Sequence, residues 1–217
     1  MPTRRLFVSL LGALSASAAF RPLLGASLPG GEARTDPERW DLRWLDSLRG
    51  RHRQVFDCGP IEDRPPMRIV ANWLDAHRDI YGLEYPKVNA VLGIANSAFP
   101  INASHALWEK YQLGERWKLK APNSQEWATH NFFYDPPAGS PLARMGVRTL
   151  QSRGAIFWQC NNALRGIAER LAQATSQVAE PVYAELRAGL NPGVVLVPAH
   201  TMVIGLAQER GCAYEKL

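Results

Sequence analysis

Short apolar runs that alternate with helical segments are the feature that most limits the folds open to this chain. The apolar runs lie at residues 87–96, 155–160 and 193–198, a short β-leaning run lies at 53–58, and 212–217 is predicted to add a short edge strand. Segments with apolar residues at helical spacing lie between them. This alternation is typical of right-handed βαβ crossovers. The sequence therefore predicts an α/β fold, a three-layer sandwich with a mostly parallel sheet of about five strands and helices on both faces.

The first 50 residues are predicted to lie outside this domain, which would span residues 51–217. Arg4 and Arg5 precede an apolar run that is rich in alanine and serine and too short for a confident membrane span. This pattern predicts a twin-arginine type export signal peptide at residues 1–20, with a general secretory signal and an uncleaved anchor as alternatives. Residues 21–50 begin with a segment rich in glycine and proline and are predicted to form a linker.

Composition excludes several functional classes. The 217 residues are 46% hydrophobic and 21% charged, which is ordinary for a globular protein. The net charge of +5 is weak and forms no basic stripe with interleaved aromatics, so no nucleic-acid partner is predicted. Three cysteines are too few for a disulfide scaffold, and no CxxC or HExxH spacing is present. No metal site and no cofactor are predicted.

The stretch GAIFWQCNNALRG, at 154–166, places Cys160 where an apolar strand ends and a helix begins. Ligands of open parallel α/β sheets bind at the carboxyl ends of the strands. The free N–H groups and the positive dipole end of the following helix favour a thiolate at this position. Cys160 is therefore a candidate nucleophile or sulfur carrier, although a cysteine at such a place also commonly serves only to fill the core.

The C-terminal third resembles the DsrE/DsrF-like family of sulfur-trafficking proteins. The resemblance covers residues 150–217 well and 53–113 loosely. It rests on an apolar strand ending in cysteine, a small polar turn into a helix, a GV.VVP-like strand and a closing helix. The matching segments are Cys160, Asn162–Leu164, Pro192–Val194, Val197–Pro198, Leu206–Gln208, Gly211 and Ala213–Tyr214.

The resemblance implies a homo-oligomer in which Cys160 accepts reduced sulfur as a persulfide and passes it on. A sulfur-donor or acceptor protein would then be its partner. Combined with the signal, this predicts an exported, periplasmic bacterial protein with no stable membrane insertion after cleavage. A second hypothesis is a non-catalytic oligomeric module that binds a ligand or partner on the same fold. Whether the chain is an enzyme, such as a sulfurtransferase, stays open.

Further candidates for binding residues lie at predicted strand ends and helix starts. Asn161 or Asn162 opens the helix after Cys160, and His200 follows the 193–198 strand, where it could contact the thiolate or cap the last helix. Asn96 and Ser97 could line the same edge or simply form a turn. Cys58 could pair with Cys160, relay sulfur to it, or be an unrelated buried thiol.

The segment 115–139 has no clear period and is long for a connection. It is predicted to be an inserted flap, serving as a pocket lid or, more in keeping with an oligomer, as an interface. Its crowded aromatic residues are Trp117, Trp127, Phe132, Phe133 and Tyr134.

Overall fold

The structure is a computed structural model that describes residues 40–61 and 65–217. The predicted signal peptide and most of the predicted linker lie outside the described residues. The described residues from Trp40 onward form one compact unit.

Five parallel strands form a single sheet in the order β4-β3-β2-β1-β5. Each coincides, to within a few residues, with one of the five strand segments identified in the sequence, so the predicted α/β fold with a parallel sheet is confirmed. The strands are β1 (His52–Cys58), β2 (Val88–Ile94), β3 (Ile156–Cys160), β4 (Val194–Val197) and β5 (Ala213–Lys216).

Burial follows position in the sheet. All seven residues of the central strand β2 are buried, whereas three of the four residues of the edge strand β5 are exposed. A strand covered on both faces is predominantly apolar, which is why 87–96 shows no regular polar alternation. Asn89 is the polar exception in β2, and its side chain is hydrogen-bonded.

Helices connect the strands. The first one, Met67–Tyr81, begins after Pro66 and ends at Gly82, which has a φ of 63° that favours glycine. Short 3-10 turns lie at Arg43–Ser47 and Ala143–Met145. The helices are α1 (Met67–Tyr81), α2 (Phe99–Asn102), α3 (His105–Tyr111), α4 (Leu113–Arg116), α5 (Val147–Ser152), α6 (Asn161–Thr175), α7 (Ala179–Ala188) and α8 (His200–Glu209).

The sheet separates two hydrophobic cores, which gives the three layers. The larger core lies between the sheet and the helices α1, α3, α6 and α7, and Phe56, Leu92 and Phe157 contribute to it from the strands. The smaller core lies on the opposite face of the sheet, under α8. Val55, Val91 and Trp158 contribute to it from the strands. Alternate strand residues thus face opposite layers, as the pleat requires.

The folded unit begins earlier than the predicted boundary at residue 51. Leu45 and Leu48 are buried in the smaller core, and the backbone N–H of Gly50 donates to Asn89 Oδ1 at 2.6 Å. Residues 40–50 therefore belong to the domain, and the predicted linker is wrong over this part. Leu45 and Leu48 lie three residues apart, so both side chains point to the same side of this short turn. Together with α8 they cover the face of the sheet that carries the smaller core.

The segment 115–139 is anchored on the core surface, and most of its aromatic side chains pack against the core. Phe133 is buried, Trp117, Phe132 and Tyr134 pack against the larger core, and only Trp127 of the five aromatics is exposed. Apart from the end of α4 and an isolated bridge between Lys120 and Trp127, the segment contains no regular element. The other four aromatics pack against the larger core and cover apolar surface beside α3.

Within the described residues, no helix is long and apolar enough to cross a membrane.

Candidate functional site at the carboxyl edge of the sheet

Cys160 occupies the junction between β3 and α6, as the sequence predicts. Its backbone is extended, with φ −71° and ψ 122°, and it is the N-cap of the 15-residue helix α6. Its Sγ accepts a hydrogen bond from the backbone N–H of Ala163 at 3.4 Å. That N–H has no acceptor within the helix, so the sulfur takes the place usually held by a capping oxygen. Both this bond and the helix dipole favour negative charge on the sulfur.

The thiol is shielded but lies among polar groups. Cys160 is 5% exposed. The buried side chain of Gln159 donates to the carbonyl oxygens of Ala95 at 2.8 Å and of Cys160 at 3.3 Å. Asn102, also buried, donates to Gln159 Oε1 at 3.2 Å. These bonds fix the peptide groups around the sulfur.

The two asparagines after Cys160 differ in their surroundings. Asn161 is buried and accepts a hydrogen bond from the Tyr183 hydroxyl at 2.6 Å, which ties α6 to α7. Asn162 is exposed at the second position of α6. The structure thus gives Asn161 a packing role and leaves Asn162 as the one of the pair that faces solvent.

Cys58 does not combine with Cys160. β2 lies between β1 and β3, so the two strand ends are about 9.5 Å apart, beyond the reach of a disulfide. Cys58 packs in the larger core, where burial and then the charge of Asp57 raise the pKa of its thiol to about 12. Burial likewise raises the pKa of the Cys212 thiol. All three thiols are free, and the predicted alternative in which Cys58 bonds to Cys160 is wrong.

His200 begins α8 and faces Asp57 and Trp158 rather than the thiol. Its Nε2 lies 2.8 Å from Asp57 Oδ1, and its Nδ1 accepts a hydrogen bond from the Trp158 indole N–H at 3.1 Å. Because Nδ1 is an acceptor, the ring proton is on Nε2 and points to the carboxylate. Both ring nitrogens are therefore engaged. Among the described residues no hydrogen bond joins His200 to Cys160. The predicted contact of His200 with the thiolate is therefore wrong.

Asp57 is the centre of a polar network that the sequence did not indicate. Its Oδ2 accepts hydrogen bonds from the Tyr214 hydroxyl and from Lys216 Nζ, each at 2.9 Å. Burial acts to raise the pKa of Asp57, but the hydrogen bonds from Lys216, His200 and Tyr214 together lower it. The one available signal was an aspartate between Phe56 and Cys58, near the end of strand β1.

Gly93 makes this network possible. A Cβ at this position of β2 would lie 2.4 Å from Trp158 Cζ2 and 2.9 Å from His200 Cε1. Asp57, Gly93 and Trp158 are paired across β1, β2 and β3 in one row. Only a residue without a side chain lets the imidazole pass over β2 from α8 to β1.

Asn96 and Ser97 line a separate open cleft of about 580 Å³. Asn96 Oδ1 accepts a hydrogen bond from Arg170 at 2.5 Å. Cys160 and His200 are not part of the lining, so the structure divides the predicted site into three places: the thiol, the Asp57 network and the cleft. The lining residues are Pro60, Ile61, Asn96, Ser97, Arg116, Trp117, Ile167, Arg170 and Leu171.

Within residues 40–61 and 65–217, no group of three or more histidine, cysteine, aspartate or glutamate side chains is placed to hold an ion.

Comparisons with known proteins give one structural likeness. No family model matches the chain, and no curated protein matches it. The fold is similar to that of a protein of unknown function, MTH1491, from Methanobacterium thermoautotrophicum, with 14% sequence identity and a TM-score of 0.39. The match covers 76% of this chain and 99% of that chain. At this level it assigns neither a family nor a function.

Proposed function

We propose that this protein carries reduced sulfur as a persulfide on Cys160. The observation that carries the proposal is the hydrogen bond from the Ala163 N–H to Cys160 Sγ at the start of α6. A sulfur that serves as a helix N-cap is held at a fixed position and faces the positive end of the helix dipole. Thiolate is the form that attacks a sulfane sulfur.

The transfer consists of two exchange steps. The Cys160 thiolate attacks the terminal sulfur of a donor and the donor S–S bond breaks. The remainder leaves as a thiolate from an organic persulfide, or as a polysulfide shortened by one sulfur atom from inorganic polysulfide. The bound sulfur is now the outer atom of a Cys160 persulfide anion. An acceptor thiolate then attacks that outer sulfur, and Cys160 leaves again as a thiolate. The sulfane sulfur keeps its oxidation state throughout, so neither step requires an added oxidant or reductant.

The shielding of Cys160 determines which donor suits the first step. A side chain that is 5% exposed is reached more easily by a small donor, such as inorganic polysulfide, than by a folded protein that carries a thiol. Cys58 and Cys212 are poor alternatives, since burial raises the pKa of both thiols and disfavours their thiolates.

Export and assembly belong to the same proposal. They rest on the arginine pair and apolar run at residues 1–20 and on the resemblance to a family whose members form homo-oligomers. In an oxidising compartment a shielded thiol would be protected from unproductive oxidation.

The second candidate is a non-catalytic oligomeric module that binds a ligand or partner. The cleft beside Asn96 and Ser97 favours it, because this cleft lies at the edge of the sheet where α/β folds hold ligands and it contains no cysteine.

Intact-protein mass spectrometry separates the two candidates. After incubation of the reduced full chain with polysulfide, the sulfur carrier gains about 32 Da, the mass of one sulfur atom. The adduct should disappear in Cys160→Ser and persist in the matched controls Cys58→Ser and Cys212→Ser. A wild-type protein without an adduct, or an adduct retained in Cys160→Ser, would favour the binding module instead.

A further inference from the structure

The cleft beside Asn96 contains two guanidinium groups and, in its described lining, no carboxylate. Arg116 and Arg170 enter it from the end of α4 and from α6, and both are exposed. Positive side chains that converge on a concave surface attract and orient an anion.

Neither arginine is neutralised by a carboxylate of the described chain. Arg170 donates to the amide oxygen of Asn96 at 2.5 Å, and Arg116 donates through Nε to the carbonyl oxygen of Tyr111 at 2.8 Å. Both acceptors are uncharged. By contrast, the exposed Arg148 and Arg165 form ion pairs with acidic side chains. The two neutral anchors hold the guanidinium groups in place while their remaining N–H groups and full charges face the cleft.

The rest of the lining is apolar or weakly polar. Ile167 and Leu171 are buried, and Trp117 is half-buried with its ring 5.8 Å from that of Phe99. The Asn96 amide and the Ser97 hydroxyl supply hydrogen-bonding groups beside this surface. The volume of about 580 Å³ lies within the range for small-molecule sites.

We propose that this cleft binds a small organic anion. The oxyanion group, a carboxylate, sulfonate or phosphate, lies against Arg116 and Arg170, because guanidinium groups form paired charge-assisted hydrogen bonds with such groups. The apolar body of the ligand covers Trp117, Ile167 and Leu171. The inference develops the second candidate function, and it requires no chemistry at Cys160.

A pair of fluorescent dyes tests this assignment. Anilinonaphthalene sulfonate has a sulfonate on an aromatic body, and phenylnaphthylamine is its uncharged counterpart. We expect the sulfonate dye to bind the folded full chain with an affinity that falls as salt is added. The Arg116→Gln/Arg170→Gln double variant should weaken sulfonate-dye binding at least about tenfold, since charge-assisted hydrogen bonds are lost. Affinity for the uncharged dye should change less than about twofold.

Two matched variants complete the test. Arg165→Gln removes the same charge from the same helix outside the cleft and should leave sulfonate-dye binding unchanged. Arg116→Lys/Arg170→Lys keeps the charge but not the forked donors, so it should recover only part of the affinity that the double glutamine variant loses. Thermal melts confirm that each variant is folded. The proposal is overturned if the folded wild type does not bind the sulfonate dye, if Arg165→Gln weakens binding as much, or if both dyes lose affinity equally. The persulfide assay at Cys160 is independent of each of these results.

Discussion

The imidazole of His200 hydrogen-bonds the carboxylate of Asp57 at 2.8 Å, although 143 positions separate the two residues in the sequence. The bond joins the start of α8 to the end of β1. Tyr214 and Lys216 bring the edge strand β5 to the same carboxylate. This network therefore fastens the last helix and the last strand to the centre of the sheet, at the edge where Cys160 and the cleft also lie.

The Asp57 network should make stability depend on pH in a defined direction. The folded state lowers the pKa of Asp57, so its contribution is fully present above the unfolded pKa, near 3.9, and is lost as the pH falls through the folded pKa. We expect Asp57→Asn to be less stable than the wild type at pH 7, with a difference that shrinks below about pH 4. Urea unfolding at several pH values measures this difference in the free energy of unfolding. The exposed Asp135→Asn is the control, and a difference between wild type and Asp57→Asn that is constant with pH would refute the network.

Gly93→Ala should destabilise the protein because its Cβ would collide with Trp158 and His200. We expect a loss of about 1–3 kcal/mol in the free energy of unfolding, as for other overpacked cores. Gly205→Ala in α8 is the matched control, since a Cβ there meets nothing within 4 Å and alanine should stabilise the helix by about 0.5–1 kcal/mol. Chemical denaturation compares the two. If Gly93→Ala and Gly205→Ala changed the free energy of unfolding equally and in the same direction, the space between Gly93, Trp158 and His200 would not be tightly packed.

Asn131 should anchor the 115–139 segment. Its buried Nδ2 contacts the carbonyl oxygens of Pro100, Ile101 and Ala103, the nearest at 2.6 Å, and its Oδ1 accepts from the backbone N–H groups of Phe133 and Tyr134. Asn131→Ala would leave these buried groups unpaired and should cost at least about 2 kcal/mol of unfolding free energy.

The measurement for Asn131 is again chemical denaturation, with proteolysis of the native state to detect local opening of the segment. The exposed Gln125→Ala, in the same segment, should change stability by less than about 0.5 kcal/mol. If the two variants behave alike, the segment is held by its aromatic side chains and not by Asn131.

The sheet and the place of Cys160 could be predicted because they depend on local patterns. A continuous apolar run such as 155–160 needs burial on both faces, and the polar NN that follows it fits a helix start. These signals lie within a few residues of each other, so no long-range information is required.

The Asp57 network could not be predicted, because three distant segments supply its parts and only the folded sheet brings them together. His200 was a candidate, but its partner depends on the absence of a side chain at Gly93, one strand away. The orientation of the aromatics in 115–139 has the same origin, since it depends on core surface left uncovered by helices elsewhere in the chain.

The central claim is that the Cys160 sulfur, held by the Ala163 N–H, can still be reached and can react in the native state. Peptide-resolved labelling of the folded, reduced full chain with isotope-coded iodoacetamide tests this most directly. The account predicts that Cys160 is modified well before Cys58 and Cys212, and that unfolding in urea abolishes this selectivity. If Cys160 were labelled only as slowly as Cys58, and only after unfolding, the sulfur-carrier function would be contradicted.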